Sequence, residues 1–277
     1  MSAVSTPPLE QLLRRDRRLV VAALVLVAAL AWIYTLAGVG MEMSVSEMTR
    51  AVMPGQQTAT GMTTNGGTPT GGHAWDAGYA AVMLAMWWVM MVAMMLPSAA
   101  PTILLAAAIN RRSGARSAPY GSAGFFTAGY LVVWLVFSAT AVALQLTLTL
   151  AGLLSPMLES TSSRLTAALL IAAGLWQLTP IKQACLRHCR SPVHYLVRHR
   201  RPGNFGALVM GAGHGGFCLG CCWFLMTLLF AGGVMNLYWI VGLALFVLVE
   251  KTLARGVWFG RVAGPGLIAA GVAVAAV

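Results

Sequence analysis

Residues 205–230 form an apolar run without a single charged side chain, and within it lies MGAGHGGFCLGCCWFLM, residues 210–226. A stretch of that kind is either buried on all sides or crosses a membrane, where about 20 helical residues span about 30 Å of hydrocarbon. In either place its polar groups need a reason, and they are His214, Cys218, Cys221 and Cys222. At about 100° per residue, positions four and seven apart return to the same face of a helix, so His214, Cys218 and Cys221 share one sector. A single buried cysteine is commonly an inert packing residue. Four nitrogen and sulfur donors on consecutive turns of one apolar helix are a candidate ligand set.

Such runs recur along the chain. Apolar residues make up 58% of it and charged residues 9%, against about 25% charged in soluble domains. The expected fold is an all-α integral membrane protein, a bundle of six or seven transmembrane helices with a cytoplasmic amino terminus. Residues 1–18 are a basic segment containing Arg14, Arg15, Arg17 and Arg18, and 19–39 the first span, longer than the roughly 7–15 residues of a signal-peptide core. Residues 40–78 read as an external loop rich in Gly, Thr and Met, with too little apolar surface to fold alone. Residues 79–277 then form the helical core. Its spans begin near 79, where Pro97 and Pro101 should kink or end the helix, and continue at 121–150, 164–180, 205–230, 235–253 and, shortest, 262–277. The segment 182–201 is the most basic loop.

The net charge of +11 has a topological explanation. With seven spans, the basic residues of the amino-terminal segment, of the connector (Arg111, Arg112, Arg116), of residues 181–204 and of the turn after the sixth span (Lys251, Arg255, Arg261) fall on one side. That leaves Arg50 and Arg164, of 18 Lys and Arg, on the other. An excess on one side marks it as cytoplasmic, so no nucleic-acid partner is needed.

In this orientation His214 lies near the midplane, at the depth of a methionine face on the second span: Met83, Met86, Met90 and Met94, with Met91 and Met95 beside them. Methionine is a flexible gap-filler of cores, yet six within thirteen residues also form a row of thioethers. At the inner mouth, IKQACLRHCRSP sets Cys185 and Cys189 four apart. If the helix persists there, both face one way among Lys182, Arg187 and Arg190, and basic neighbours favour thiolate. His194 and His199 read as part of a solvated basic face. On the outside, Met41, Met43, Met48, Met53, Met62 and His73 are sparse donors, readable as copper-capturing or as spacers. Glu250, near the end of the sixth span, either pairs with Lys182 or a neighbouring Arg, or serves as a hard ligand or proton acceptor.

Thiolate and thioether donors favour Cu(I), while imidazole with thiolates also suits zinc. The methionines tip the choice towards Cu(I), with zinc second. There is no carboxylate cluster for Mg, Ca or Mn and no C-x-x-C-H for haem.

The blocks MWWVMMVAMMLPSAAP, AGYLVVWLVF, AGLWQLTPIKQACLRHCRSP, HGGFCLGCCWFLM, GGVMNLYW and LVEK occur in this order between about residues 75 and 255. In them the chain resembles a bacterial family of metal-binding integral membrane proteins linked to copper handling. The resemblance implies a multispan fold and a metal site, and on the family pattern Cys185, Cys189, His214, Cys218, Cys221, Cys222 and Glu250 are the positions carried over. The leading expectation is therefore a non-enzymatic copper-handling protein of the bacterial inner membrane, a transporter or a chaperone that exchanges the ion with a donor or acceptor protein. Two alternatives stay open: a transmembrane thiol–disulfide carrier using Cys218/Cys221 and Cys185/Cys189, and a structural subunit of a membrane complex.

Overall fold

A computed structural model of the chain describes residues 8–37, 77–112, 119–155, 158–199, 201, 203–253 and 256–276. These residues are almost entirely helical. In chain order they form α1 (Pro8–Leu36), α2 (Ala77–Arg112), α3 (Pro119–Leu150), α4 (Ser163–Leu178), α5 (Pro180–Arg190), α6 (Pro192–Arg198), α7 (Gly203–Thr227), the single turn α8 (Leu229–Gly232), α9 (Leu237–Thr252) and α10 (Gly256–Ala275). The external donors Met41, Met43, Met48, Met53, Met62 and His73 lie outside the described residues.

Among the described residues, five helical stretches are long and apolar enough to cross a membrane: α1, α2, α3, α7 with α8, and α10. The pair α4 and α5, bent by 65° at its break, makes a sixth if taken as one span. At 16 residues α9, expected as the sixth span, is short for a crossing. The last segment is longer than expected, because its helix begins at Gly256 and reaches 20 residues.

Two further expectations are revised. Of the kink or end expected at Pro97 and Pro101, the end is excluded, since α2 runs on to Arg112 with both prolines inside it. The two prolines are one turn apart, so the donor missing at Pro101 would have served the Pro97 carbonyl, and the disruption is confined to one strip of the helix. The basic segment after α4 is not a loop but two short helices. Each opens with proline in its first turn, after Thr179 and Ser191 respectively. Proline is preorganised for the first helical position, and the Thr179 hydroxyl caps α5 by accepting from the Lys182 amide at 3.3 Å.

The site is positioned by the contact between α3 and α7. A Cβ on Gly129 would lie 2.0 Å from the Leu208 carbonyl oxygen, and one on Gly211 1.9 Å from that of Phe126. The two helices therefore touch backbone to backbone, as small residues allow in packed apolar helices. On the other side of α7 lies α5, where a Cβ on Gly220 would come within 2.8 Å of the Cys185 sulfur. The bundle surface is apolar: Val25, Ile33, Val136, Leu150, Phe205 and Trp258 are all exposed.

Candidate metal centre

Helix α7 turns His214, Cys218, Cys221 and Cys222 into the bundle, and all four are buried. The shared face expected from their spacing is thus the inward one. All five cysteines of the chain are free thiols.

Cys218 is the most heavily engaged. Its sulfur is 3.0 Å from the Tyr130 hydroxyl on α3 and accepts from the Lys251 ammonium on α9 at 2.9 Å. Its carbonyl accepts from the thiols of Cys221 at 3.0 Å and Cys222 at 2.9 Å. The Cys222 thiol also approaches the Met95 sulfur on α2, at 3.9 Å. From α5, the Cys189 thiol lies near enough to Cys218 and Cys221 for the three to interact electrostatically. The inner-mouth Cys189 and the α7 cysteines thus lie in one neighbourhood. Cys185 is partly buried over Gly220.

The supports of this cluster are specific. His188, between the two α5 cysteines, lies flat on Phe217 at 4.2 Å and 3°, with Nδ1 2.9 Å from the Ala184 carbonyl. The Trp176 indole on α4 donates to the Gly220 carbonyl at 3.2 Å. Tyr195 on α6 donates its hydroxyl to the Met210 carbonyl at 3.1 Å, and burial pushes its phenol pKa up, keeping it a donor. His199 stacks on Tyr195. Below the cluster, buried Lys182 bonds both Gln177 and Glu250, so Glu250 is paired rather than aimed at the sulfurs.

His214 stands one turn before Cys218, stacked on Tyr130 at 5.9 Å and beside Phe126 at 6.1 Å. Its Nδ1 is buried with no partner. Buried polar atoms are paired as a rule, so an orphan nitrogen one turn from Cys218 points to a group that would complete it.

All six methionines of α2 are buried. Met83 accepts from the Gln145 amide at 3.5 Å, and the Gln145 carbonyl accepts from the Trp87 indole at 2.8 Å. Met95, twelve positions on, is about 18 Å further along the axis. Met95 brings its sulfur to 3.9 Å from that of Cys222, at the other end of the buried methionine row from Met83.

Among the described residues no three His, Cys, Asp or Glu side chains are converged into a ready-made metal site. The thiols are gathered, but two point at the Cys218 carbonyl and the third sulfur is held by Lys251 and Tyr130.

Residues 84–274 match the PpoB2 family, described as copper chaperones. The chain belongs to this copper chaperone family. The match runs from within α2 almost to the end of α10 and includes all the cysteines, and it agrees with the copper-handling family that the sequence blocks resemble. No curated protein and no solved structure matches the chain. Copper association follows from the family, and the sulfur-rich cluster is chemically suited to it.

Sequence reasoning did not single out Met95, Tyr130, Ser98 or Lys251. By sequence Lys251 belongs with the topological charges, yet it is buried against Cys218. The available signal was adjacent opposite charges at the end of an apolar helix, where ionisable residues are functional candidates.

Proposed function

We propose that this protein is an integral membrane protein of the bacterial inner membrane that holds Cu(I) on Cys189, Cys218, Cys221 and Cys222, assisted by Met95 and His214, and hands it to or takes it from a protein partner. The observation that carries this reading is the meeting of soft donors from three separate helices: Cys189 from α5, the α7 thiols, and Met95 from α2. Sulfur donors select Cu(I). The apolar outer surface and the long apolar helices support a lipid-embedded bundle with lipid around it. Delivery, rather than permanent storage, is favoured by Cys185 and Cys189 on α5. Cys185 is partly accessible, so a partner's thiol can reach the pair, and the ion passes between like ligands without being set free in hydrocarbon.

The test is metal analysis of the detergent-purified protein followed by X-ray absorption. Retained copper in sulfur-dominated coordination, lost in the Cys218→Ser/Cys221→Ser double variant, is expected. Copper bound equally by that variant, or coordinated by oxygen and nitrogen alone, would overturn the reading. The proximity of free Cys189 to Cys218 and Cys221 also favours a second reading, a thiol–disulfide relay, in which a cross-linked form of this cluster accumulates under oxidising conditions.

A further inference from the structure

Lys251 is only 7% exposed, and a buried ammonium is costly unless something compensates it. Its partners are the Cys218 sulfur at 2.9 Å and the Ser98 hydroxyl at 3.5 Å. The neighbouring carboxylate, Glu250, is taken by Lys182. Among the described residues Lys251 thus has a sulfur, not a carboxylate, as its counter-group. The Tyr130 hydroxyl is 3.0 Å from the same sulfur.

The donors alone leave selectivity unexplained, because thiolates with an imidazole suit zinc as well as Cu(I). Net charge separates the two ions. In a buried site uncompensated charge is expensive. An ammonium fixed beside Cys218 offsets part of the thiolate charge, so it weakens the hold on a divalent ion more than on a monovalent one. Repulsion between the ammonium and the bound ion also doubles when the ion's charge doubles.

We infer that Lys251 is a selectivity residue: by fixing one positive charge beside Cys218, it makes the site favour a monovalent soft ion over a divalent one. On binding, the N–H···S contact gives way to a sulfur–metal bond. Each further cysteine that joins the ion gives up its thiol proton to solvent, while the ammonium keeps its own and turns to Ser98, and no electron changes hands. This inference rests on the reading of the cysteine cluster as the copper site.

The experiment measures Cu(I) and Zn(II) affinities of the full-length protein in detergent, under reducing anaerobic conditions, by competition with chromophoric chelators. In Lys251→Gln the ratio of Cu(I) to Zn(II) affinity is expected to fall roughly tenfold or more, while Lys251→Arg, which keeps the charge, retains the wild-type ratio. Both metals use the same thiols, so a general loss of thiol reactivity lowers both affinities and leaves the ratio in place. Should Lys251→Gln fail to accumulate, Lys251→Leu fills the space with no polar group to bury and is read the same way. An unchanged ratio in the neutral variants overturns the inference, as does an equal fall in Lys251→Arg. A wild-type protein that binds no Cu(I) sinks the copper-site reading along with it. One that binds Cu(I) while the neutral variants keep its ratio sinks the Lys251 inference alone.

Discussion

Lys182 and Glu250, 68 positions apart in the chain, form an ion pair with both side chains buried. The pair ties the start of α5 to the end of α9. Arg190, at the other end of α5, adds a hydrogen bond to the Leu253 carbonyl at 2.7 Å. Between these two ties sit Cys185 and Cys189, so the pair governs how α5 is laid against α7.

Breaking this pair one-sidedly leaves a buried charge uncompensated. Glu250→Ala or Lys182→Ala is expected to destabilise the protein by about 3–5 kcal/mol, whereas the apolar double replacement Lys182→Met/Glu250→Leu costs far less. Thermal unfolding in detergent, treated as a double-mutant cycle, measures this. Equal losses in the single and double variants would contradict it.

Met95 and Met83 are both fully buried on α2, but only Met95 approaches a cysteine. Met95→Leu is expected to weaken copper binding about tenfold, the scale seen when a metal site loses an outer partner. Met83→Leu, next to Gln145, should leave the affinity where it was. Chelator competition on both variants decides between them, and an equal effect would place the copper along the whole methionine face.

The backbone contact of α3 with α7 leaves no room for a side chain. Gly129→Ala or Gly211→Ala is expected to force the helices apart, at a cost of at least about 1–3 kcal/mol, and to move Tyr130 away from Cys218. A lower melting temperature accompanied by weaker copper retention is the expected pair of readouts. A drop in melting temperature with copper binding intact would show that Tyr130 is not needed at the cluster.

Thiol labelling tests the arrangement directly. Cys185 and Cys189 are partly accessible, whereas Cys218, Cys221 and Cys222 are buried, so limited alkylation should modify the α5 pair first. Cu(I) should then protect Cys189 more than Cys185, because Cys189 is the one that lies near both Cys218 and Cys221. Redox-dependent alkylation of both pairs in cells, unaffected by copper, would favour the thiol–disulfide relay.

Much of the helical plan was legible in the sequence, because apolar run length and proline or glycine punctuation are local properties. The face shared by His214, Cys218 and Cys221 follows from the helical repeat alone. The α5 and α6 helices were also locally encoded, in Thr179–Pro180 and Ser191–Pro192, but a high density of basic residues disguised them as a loop.

What one-dimensional pattern does not carry is which face meets which. Six α2 methionines look alike in sequence, and only the tertiary arrangement brings Met95 to Cys222. The distance between Cys189 and Cys218 is likewise set by the bend between α4 and α5 and by the Lys182–Glu250 tie. Lys251 reads as one more charge at a helix end. Its role by Cys218 is decided by tertiary packing, because burial and pairing of an ammonium depend on neighbours remote in the chain, and the helical period says nothing of those.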